Sequence, residues 1–154
     1  MNKKLILNLL IVFSFIALSF AYFIEFVLGH EPCNLCKIER IPYIGSIILI
    51  SFLIFTNKWE KSILVMVFLL FVFGAITSIY HVGIEQGIFS ESLLCELGIS
   101  NNIENTDELL NTLKKTPISC KDVTFKIFGL SLATFNAVLS ILISCILLKL
   151  ILKK

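Results

Sequence analysis

Two cysteines, Cys33 and Cys36, form a Cys-x-x-Cys pair between two long apolar runs. Thiols at this spacing can form a small, easily reversed disulfide, which suits electron transfer better than stapling a fold. Such a disulfide closes almost no chain, so it stabilises the folded state little through loop entropy. Lys37, and not a histidine, follows the second cysteine, which excludes c-type haem attachment. The spacing therefore predicts a redox-active pair.

Two more cysteines, Cys95 and Cys120, lie in the long polar segment between the third and fourth apolar runs. In thiol–disulfide exchange a thiolate attacks a sulfur atom, so a mobile pair can take electrons from a partner and pass them to a fixed pair. The four cysteines therefore predict a relay in which the loop pair meets the substrate. Two structural disulfides are the alternative, because most disulfides outside the cytoplasm are structural. Cys145, inside an apolar run, is interpreted as a packing residue.

Arg40 and His81 are candidates for handling an electron acceptor. If a helix begins at the cysteine motif, Arg40 comes back over Cys36, where its charge would stabilise a thiolate or an anion developing on the acceptor. His81, at the end of the third apolar run, could donate a hydrogen bond or a proton to the same acceptor. The alternatives are an arginine that reaches lipid headgroups and a histidine that is simply solvated.

Two other ionisable residues, Glu25 and His30, lie near the end of the first apolar run. Glu25, about one turn from the end of the first run, is interpreted as an interfacial or pairing carboxylate. His30 could join Cys33 and Cys36 in a zinc site, but a structural zinc site needs four ligands. The remaining ligands would have to come from the distant loop, so we predict no metal.

Membrane-spanning helices are the elements that must position these groups. Hydrophobic residues make up 57% of the 154-residue chain, whereas a soluble domain is usually about 45–50% apolar. A helix needs about 20 apolar residues to cross a bilayer, and suitable runs lie at about 5–28, 41–57, 62–82 and 127–148. This pattern predicts an all-α integral membrane protein, a four-transmembrane-helix bundle that forms a single domain over residues 1–154. The sequence contains no basic cluster with interleaved aromatic residues, which argues against nucleic-acid binding.

The lysines predict how this bundle is oriented. One set of helix ends holds seven lysines against the single acid Glu60, while the other set holds most of the carboxylates. The seven are Lys3, Lys4, Lys58, Lys61, Lys149, Lys153 and Lys154. Because basic loops stay in the cytoplasm, we predict two cytoplasmic termini and two loops on the outer side, at about 29–40 and 83–126. The four loop cysteines then lie where disulfides persist.

The second outer loop is polar and acidic, and it contains one helical pattern. A cap and first-turn acids at 105–108 precede Leu109, Leu110 and Leu113. This spacing puts the leucines on one face and predicts about ten residues of amphipathic surface helix.

The motifs together resemble a known family. Pro32-Cys33-Asn34-Leu35-Cys36 with Glu39-Arg40 stands before the second of the four helices, and Tyr80-His81 ends the third. Two lone loop cysteines follow, and Cys120-Lys121-Asp122 through Phe128-Gly129-Leu130-Ser131 precedes the fourth helix. This arrangement resembles the bacterial disulfide-bond formation protein DsbB family over nearly the whole chain.

The resemblance implies a quinone reductase of the bacterial inner membrane that reoxidises a periplasmic thioredoxin-like thiol oxidase of the DsbA kind. In that family pattern, Cys95 would form the mixed disulfide with the partner, and Cys120 would be its mate. Cys33 would exchange with the loop pair. Cys36 would be the thiolate that contacts and adds to the quinone ring.

The resemblance also assigns the acceptor site. Arg40 matches an arginine beside the quinone, and His81 matches a histidine near the same pocket. The expected cofactor is ubiquinone or menaquinone, since both present a carbonyl-bearing ring. The alternative from another class is a non-catalytic membrane scaffold or partner-binding protein with two structural disulfides.

Overall fold

The computed structural model describes residues 3–56, 58–90, 95, 120–121, 126–127 and 129–152. Its helices are α1 (Lys3–Phe26), α2 (Asn34–Ile38), α3 (Ile41–Thr56), α4 (Glu60–Glu85) and α5 (Leu132–Leu152). Two short strands, β1 (Lys126–Ile127) and β2 (Leu130–Ser131), pair antiparallel directly before α5. The amphipathic helix predicted after residue 105 lies outside the described residues.

Four helical segments are long and apolar enough to cross a membrane, namely α1, the α2–α3 segment, α4 and α5. Large apolar side chains, such as Phe15, Phe55 and Ile76, are exposed on their outer surfaces. Such a surface would be an aggregation liability in water, whereas in a bilayer it contacts lipid. The structure confirms the prediction of an all-α, four-helix membrane bundle.

The fourth span begins later than the apolar run predicts. Ile127 and Leu130, which the run assigns to a helix, pair with each other across the β1–β2 ladder, and α5 begins at Leu132. Ser131 explains this start, because its Oγ accepts the backbone N–H of Thr134 at 3.2 Å. A serine in this position satisfies an otherwise unpaired donor of the first helical turn.

The third span ends later than predicted, at Glu85 rather than 82. Beyond it, the backbone N–H of Ile88 bonds the carbonyl of Gly83 at 2.8 Å. Gly87 has a φ of 74°, a left-handed conformation that glycine adopts without the steric cost of a Cβ. This motif closes α4 one turn after His81.

The helices pack around α4. It packs most extensively against α5 and next against α3, while α1 packs against α3. The larger apolar core draws on all four spans, and its buried members are Leu7, Leu10, Tyr43, Ile50, Leu53, Ile63, Leu64, Val67, Phe71, Ile143, Leu147 and Leu150. A smaller cluster at the other end of the bundle contains Cys33, Leu35, Ile84, Cys95 and Cys120.

α3, α4 and α5 come very close together at Gly74. A Cβ at this position would lie 2.9 Å from Pro42 Cγ and 3.4 Å from Ser140 Oγ, and the first distance is well inside carbon–carbon contact. Pro42 lies in the first turn of α3, as predicted, where its missing N–H costs little. The absence of a side chain at Gly74 therefore positions the turn before α3, which carries Glu39 and Arg40.

α1 and α4 begin at the same end of the bundle. Lys3 Nζ lies 2.9 Å from Glu60 Oε1, with both side chains about half exposed. An exposed ion pair of this kind adds little stability, but it brings two of the lysine-rich helix ends together. Which side of the membrane this end faces stays a prediction.

Candidate active site

Cys33 and Cys36 meet at the start of the short helix α2. Cys33 immediately precedes α2, and its Sγ accepts the backbone N–H of Cys36 at 3.3 Å. The two sulfur atoms lie 2.8 Å apart, and both cysteines are free. Helical geometry explains the contact, because the side chain of a capping residue reaches the amide of the third helical residue. The structure thus brings the sequence-predicted pair together.

The two thiols have different surroundings. Cys33 is buried, at 6% exposure, whereas Cys36 is half-buried and lines a cavity. The hydrogen bond with the Cys36 thiol, helped by a weaker one with His81, lowers the pKa of Cys33 to about 5 against the opposing effect of burial. These hydrogen bonds favour the thiolate of Cys33, and a thiolate is the reactive form in disulfide exchange.

His81 connects Cys33 to a carboxylate. Its Nε2 lies 3.6 Å from Cys33 Sγ, and its Nδ1 lies 2.9 Å from Glu39 Oε1. A carboxylate at Nδ1 favours a proton on that nitrogen, which leaves Nε2 to face the sulfur. Glu85, one turn further along α4, places Oε1 3.8 Å from Nε2. His81 thus contacts Cys33 and Glu39 and is absent from the described lining of the cavity next to Cys36. The contact with an electron acceptor that the sequence suggests for it stays a prediction.

Glu39 is a buried carboxylate in the turn between α2 and α3, at 7% exposure. Its Oε2 accepts a hydrogen bond from Asn136 Nδ2 at 2.9 Å. The same Nδ2 donates to Ser78 Oγ at 2.7 Å, and Asn136 Oδ1 accepts the Tyr43 hydroxyl at 2.5 Å. Side chains from α3, α4 and α5 therefore meet in one hydrogen-bonded network around this carboxylate.

Arg40 makes its described contacts with α1. Its Nη1 lies 2.5 Å from Glu25 Oε2, and its guanidinium carbon lies 4.7 Å from the centre of the Tyr22 ring. The prediction that Arg40 comes back over Cys36 assumed one continuous helix, but a turn at Glu39 and Arg40 separates α2 from α3. Glu25 is thus a pairing carboxylate, and Arg40 shares a cavity wall with Cys36 without a described contact between them.

A cavity of about 350 Å³ lies between α1 and α5, next to the cysteine motif. This volume falls in the usual range of small-molecule sites, about 300–1,000 Å³. Its walls are mostly apolar and include Phe13, Ile16, Phe20, Phe135 and Leu139. Its polar lining includes Cys36, Glu39, Arg40, Tyr43 and Asn136. Such a cavity suits a molecule with a small polar head and an apolar remainder.

Cys95 and Cys120 form a disulfide whose Cα atoms are 6.0 Å apart. Both are buried, and they pack in one cluster with Cys33 and Leu35. Asn34 Nδ2 donates a hydrogen bond to the Cys95 carbonyl at 3.3 Å, which ties the loop to α2. The structure therefore places the four sequence-predicted cysteines at one end of the bundle.

In the structure, the third candidate zinc ligand beside Cys33 and Cys36 is His81 and not His30. Cys33, Cys36 and His81 place their ligand atoms within 4.8 Å of one another, whereas His30 lies at the cavity wall. Two sulfur atoms at about 2.3 Å from one tetrahedral zinc ion would be about 3.8 Å apart, against 2.8 Å between these two. The pair is therefore too close for zinc ligation as it stands, and the absence of a metal stays a prediction.

Two further features of the structure differ from what the sequence predicts. Cys145, interpreted from the sequence as a packing residue, is exposed on α5 and is not part of the buried core. Asn136 and Tyr43 join the site although neither is singled out by a motif. The available signal is that Asn136 is a polar amide inside an apolar span, where such groups usually need a partner on another helix.

Comparison with known proteins shows that nearly the whole chain matches one protein family. Residues 3–150 match the family described as Disulfide bond formation protein DsbB. The chain is 33% identical to Uncharacterized protein RP370 of Rickettsia prowazekii over 145 residues, which cover 91% of this chain and 83% of that protein. It is 38% identical to Disulfide bond formation protein B of Acinetobacter baumannii over 55 residues, which cover 34% of this chain and 32% of that protein. No solved structure matches.

Proposed function

Because the chain belongs to the DsbB family of disulfide bond formation proteins, we propose that it is a quinone-dependent protein-dithiol oxidoreductase. It takes two electrons from a reduced protein partner and passes them to a membrane quinone. The observation that carries this proposal is the position of Cys36, which contacts Cys33 on one side and lines an apolar cavity on the other. A lipid-soluble acceptor can reach such a cavity from the bilayer.

Electrons move through the two cysteine pairs in sequence. A reduced, DsbA-like partner attacks the Cys95–Cys120 disulfide, forms a mixed disulfide with Cys95 and leaves oxidised. The reduced loop pair then reduces the disulfide of Cys33 and Cys36. Each exchange breaks one S–S bond and forms another, so two electrons move per cycle. The burial of the loop pair in one cluster with Cys33 supports the second exchange.

Cys33 and Cys36 have different roles in this proposal. Cys33 exchanges with the loop pair, because it lies in the cluster with Cys95 and Cys120. Cys36 faces the acceptor, because it lines the cavity. The low pKa of Cys33 depends first on its hydrogen bond with Cys36. Once Cys33 is held in a mixed disulfide with the loop, Cys36 is the free thiol that remains.

The cavity residues fit a quinone. Such a ring supplies a two-electron acceptor with two carbonyl oxygens, and its apolar substituent suits the walls from α1 and α5. Glu25 and Tyr22 hold the Arg40 guanidinium at the cavity wall. A fixed cation there can bind a carbonyl oxygen and stabilise negative charge that develops on it. Ubiquinone and menaquinone share these features, so either serves the proposal.

The proposed location is the bacterial inner membrane, with both termini in the cytoplasm and both cysteine-bearing loops in the periplasm. The lysine-rich helix ends support this orientation. The periplasm is also where a thiol oxidase would need to be kept oxidised.

An anaerobic turnover assay tests the proposal. The full chain, purified in detergent, is mixed with a reduced thioredoxin-like oxidase and a water-soluble quinone analogue, and quinone reduction is followed by absorbance. We expect reduction by the wild type and by Cys145→Ala, whose cysteine lies on the outer side of α5, but none by Cys36→Ser. If folded wild-type protein reduces neither ubiquinone nor menaquinone analogues, the proposal fails and the scaffold with structural disulfides is favoured.

A further inference from the structure

Glu39 is a buried titratable group that the proposed electron path does not use. It lies 7% exposed at one end of a membrane-spanning bundle. Burying an ionised carboxylate is costly unless each oxygen has a partner. Both oxygens have one, since Oε1 meets His81 Nδ1 and Oε2 meets Asn136 Nδ2, each at 2.9 Å. The structure thus maintains a carboxylate at this position with two donors from different helices.

Glu39 lies between the buried sulfur of Cys33 and the cavity that Cys36 lines. Through His81, its Oε1 side reaches Cys33, whose Sγ lies 3.6 Å from His81 Nε2. Glu39 itself lines the cavity that Cys36 faces. A chain of hydrogen-bonding groups therefore runs from the buried sulfur to the cavity wall.

The proposed reaction needs such a path of hydrogen-bonding groups, because it moves protons as well as electrons. Converting the two cysteines into one disulfide forms an S–S bond and releases two electrons and two protons, one from the Cys36 thiol and one that Cys33 has given to His81. The quinone takes up all four as it becomes a hydroquinone. The Cys36 thiol borders the cavity, but Cys33 and His81 are absent from the described residues that line it. The proton that Cys33 loses therefore has to cross the side chains between them.

We propose that Glu39 carries the Cys33 proton into the cavity, receiving it from His81, so that the disulfide-forming site contains a built-in proton path. The inference rests on the proposed function, because the quinone is the group that finally binds the proton. The proton that Cys33 gives up when it forms its thiolate is held at His81 Nε2. During the reaction the Nδ1 proton passes to Glu39, and Glu39 delivers it at the cavity wall. No other co-reactant is needed.

Asn136 is a positioning residue in this path. It donates to Glu39 and to Ser78, and it accepts the Tyr43 hydroxyl, so its amide has a single possible orientation. The charged groups that face His81 are Glu39, Glu85 and the Cys33 thiolate. Of these three groups, Glu39 is the one that also lines the cavity.

The first test needs no quinone. In reduced, quinone-free full-length protein, the rate of iodoacetamide alkylation at Cys33 is measured against pH by mass spectrometry. Glu39→Gln keeps the shape but removes the charge that stabilises a protonated His81, so we expect the pKa of Cys33 to rise by about 1 unit or more. The control Glu60→Gln removes a carboxylate at the opposite end of the bundle and leaves the titration unchanged. An unchanged titration in Glu39→Gln overturns the proposal.

The second test measures proton transfer during turnover. In a single turnover, Glu39→Gln should reduce the quinone analogue about 100-fold more slowly, the usual size of a lost acid–base group. Glu39→Asp, which keeps a carboxylate, should recover part of the rate. Loss of stability without a change in either rate or Cys33 titration would mean a structural role and would overturn the proposal.

The wild type supplies a measurement that does not depend on how a variant folds. Its quinone reduction should slow in D₂O, and the rate should depend on the D₂O fraction in a way that requires more than one proton in flight. The absence of any solvent isotope effect overturns the proposal. If the wild type reduces no quinone, the proposed function fails, and the Cys33 titration alone then decides whether His81 and Glu39 exchange protons with the thiol.

Discussion

The two ends of the bundle differ in what their interiors contain. At the lysine-rich end, the buried side chains are mostly apolar, such as Ile50, Val67 and Leu147, and the ion pair of Lys3 and Glu60 is exposed. At the cysteine end, ion pairs and hydrogen-bonded polar groups lie inside the bundle. Polar groups at membrane depth are costly and usually functional. The comparison indicates that one end holds the helices together while the other end performs chemistry.

Among the described residues, two charged pairs at the cysteine end join different helices. Arg40, before α3, pairs with Glu25 of α1, and Glu39, in the same turn, pairs with His81 of α4. Removing one partner from such a buried pair leaves an uncompensated charge, which is expensive. The chemistry therefore depends on the arrangement of the helices that the apolar end stabilises.

The largest effect on turnover is expected from the cysteines themselves. Cys33→Ser and Cys36→Ser should each abolish net quinone reduction, because either change removes one sulfur of the pair that faces the loop disulfide and the cavity. The turnover assay measures this directly. Continuous oxidation of partner thiols by either variant would mean that the relay is wrong.

Arg40→Ala should weaken quinone use while leaving exchange with the partner protein intact. A hydrogen bond to a charged group contributes about 1.5–3 kcal/mol, which corresponds to a rise of about 10- to 100-fold in the apparent KM for the quinone. Glu25→Gln, which only releases the guanidinium, should give a smaller change in the same direction. An unchanged KM in Arg40→Ala would contradict the assignment of Arg40 to the acceptor.

The reactivity of Cys33 should fall on acidification. Its pKa is lowered to about 5 in the folded protein, so the thiolate persists at neutral pH and is lost as the pH falls through about 5. We expect a constant alkylation rate between pH 8 and about pH 6, and a decline below that. A decline that begins near pH 8, as for an ordinary thiol, would show that the hydrogen bonds from Cys36 and His81 do not stabilise the thiolate.

A substitution that creates a cavity in the core at the lysine-rich end should affect the stability of the protein more than its turnover. Leu147→Ala empties a site that is 1% exposed and should lower the free energy of unfolding by about 2 kcal/mol through lost packing. The turnover of the protein that remains folded should be close to that of the wild type. Thermal unfolding in detergent and the quinone assay, measured on the same sample, separate the two effects. A large loss of turnover in folded protein would contradict the division between the two ends.

The smallest effect is expected at Cys145. Its side chain is exposed on the outer side of α5, so Cys145→Ala should change neither turnover nor the unfolding temperature beyond the usual range of a surface substitution, about 0.5 kcal/mol. The same two assays check it. A loss of turnover in well-folded protein would give this fifth cysteine a part in the reaction.

The sequence predicted the spans well and their ends less well. Long apolar runs predict spanning helices because an isolated backbone has no other stable way to cross lipid. The predicted start of the fourth span was wrong because Ser131 caps α5 several residues after the apolar run has begun. Caps and closing motifs are local hydrogen bonds, and they are not visible in hydropathy.

The sequence was less informative about the acceptor side of the site. Cys33 and Cys36 could be paired from their spacing, since neighbouring residues meet through local geometry. The guanidinium of Arg40 could not be placed, because its contacts, Glu25 and Tyr22, belong to another helix. Asn136 was not identified for the same reason, since its partners come from the turn before α3 and from α3 and α4.

By itself, the sequence determined that this protein is a membrane bundle with a close pair of cysteines, because composition and local spacing decide both properties. Only the tertiary structure decided that Cys36 faces a cavity while Cys33 faces His81 and the loop disulfide. It also decided that Glu39 lies between the buried sulfur and that cavity. These relations depend on how separate helices pack, and packing contacts join residues that are far apart in the chain.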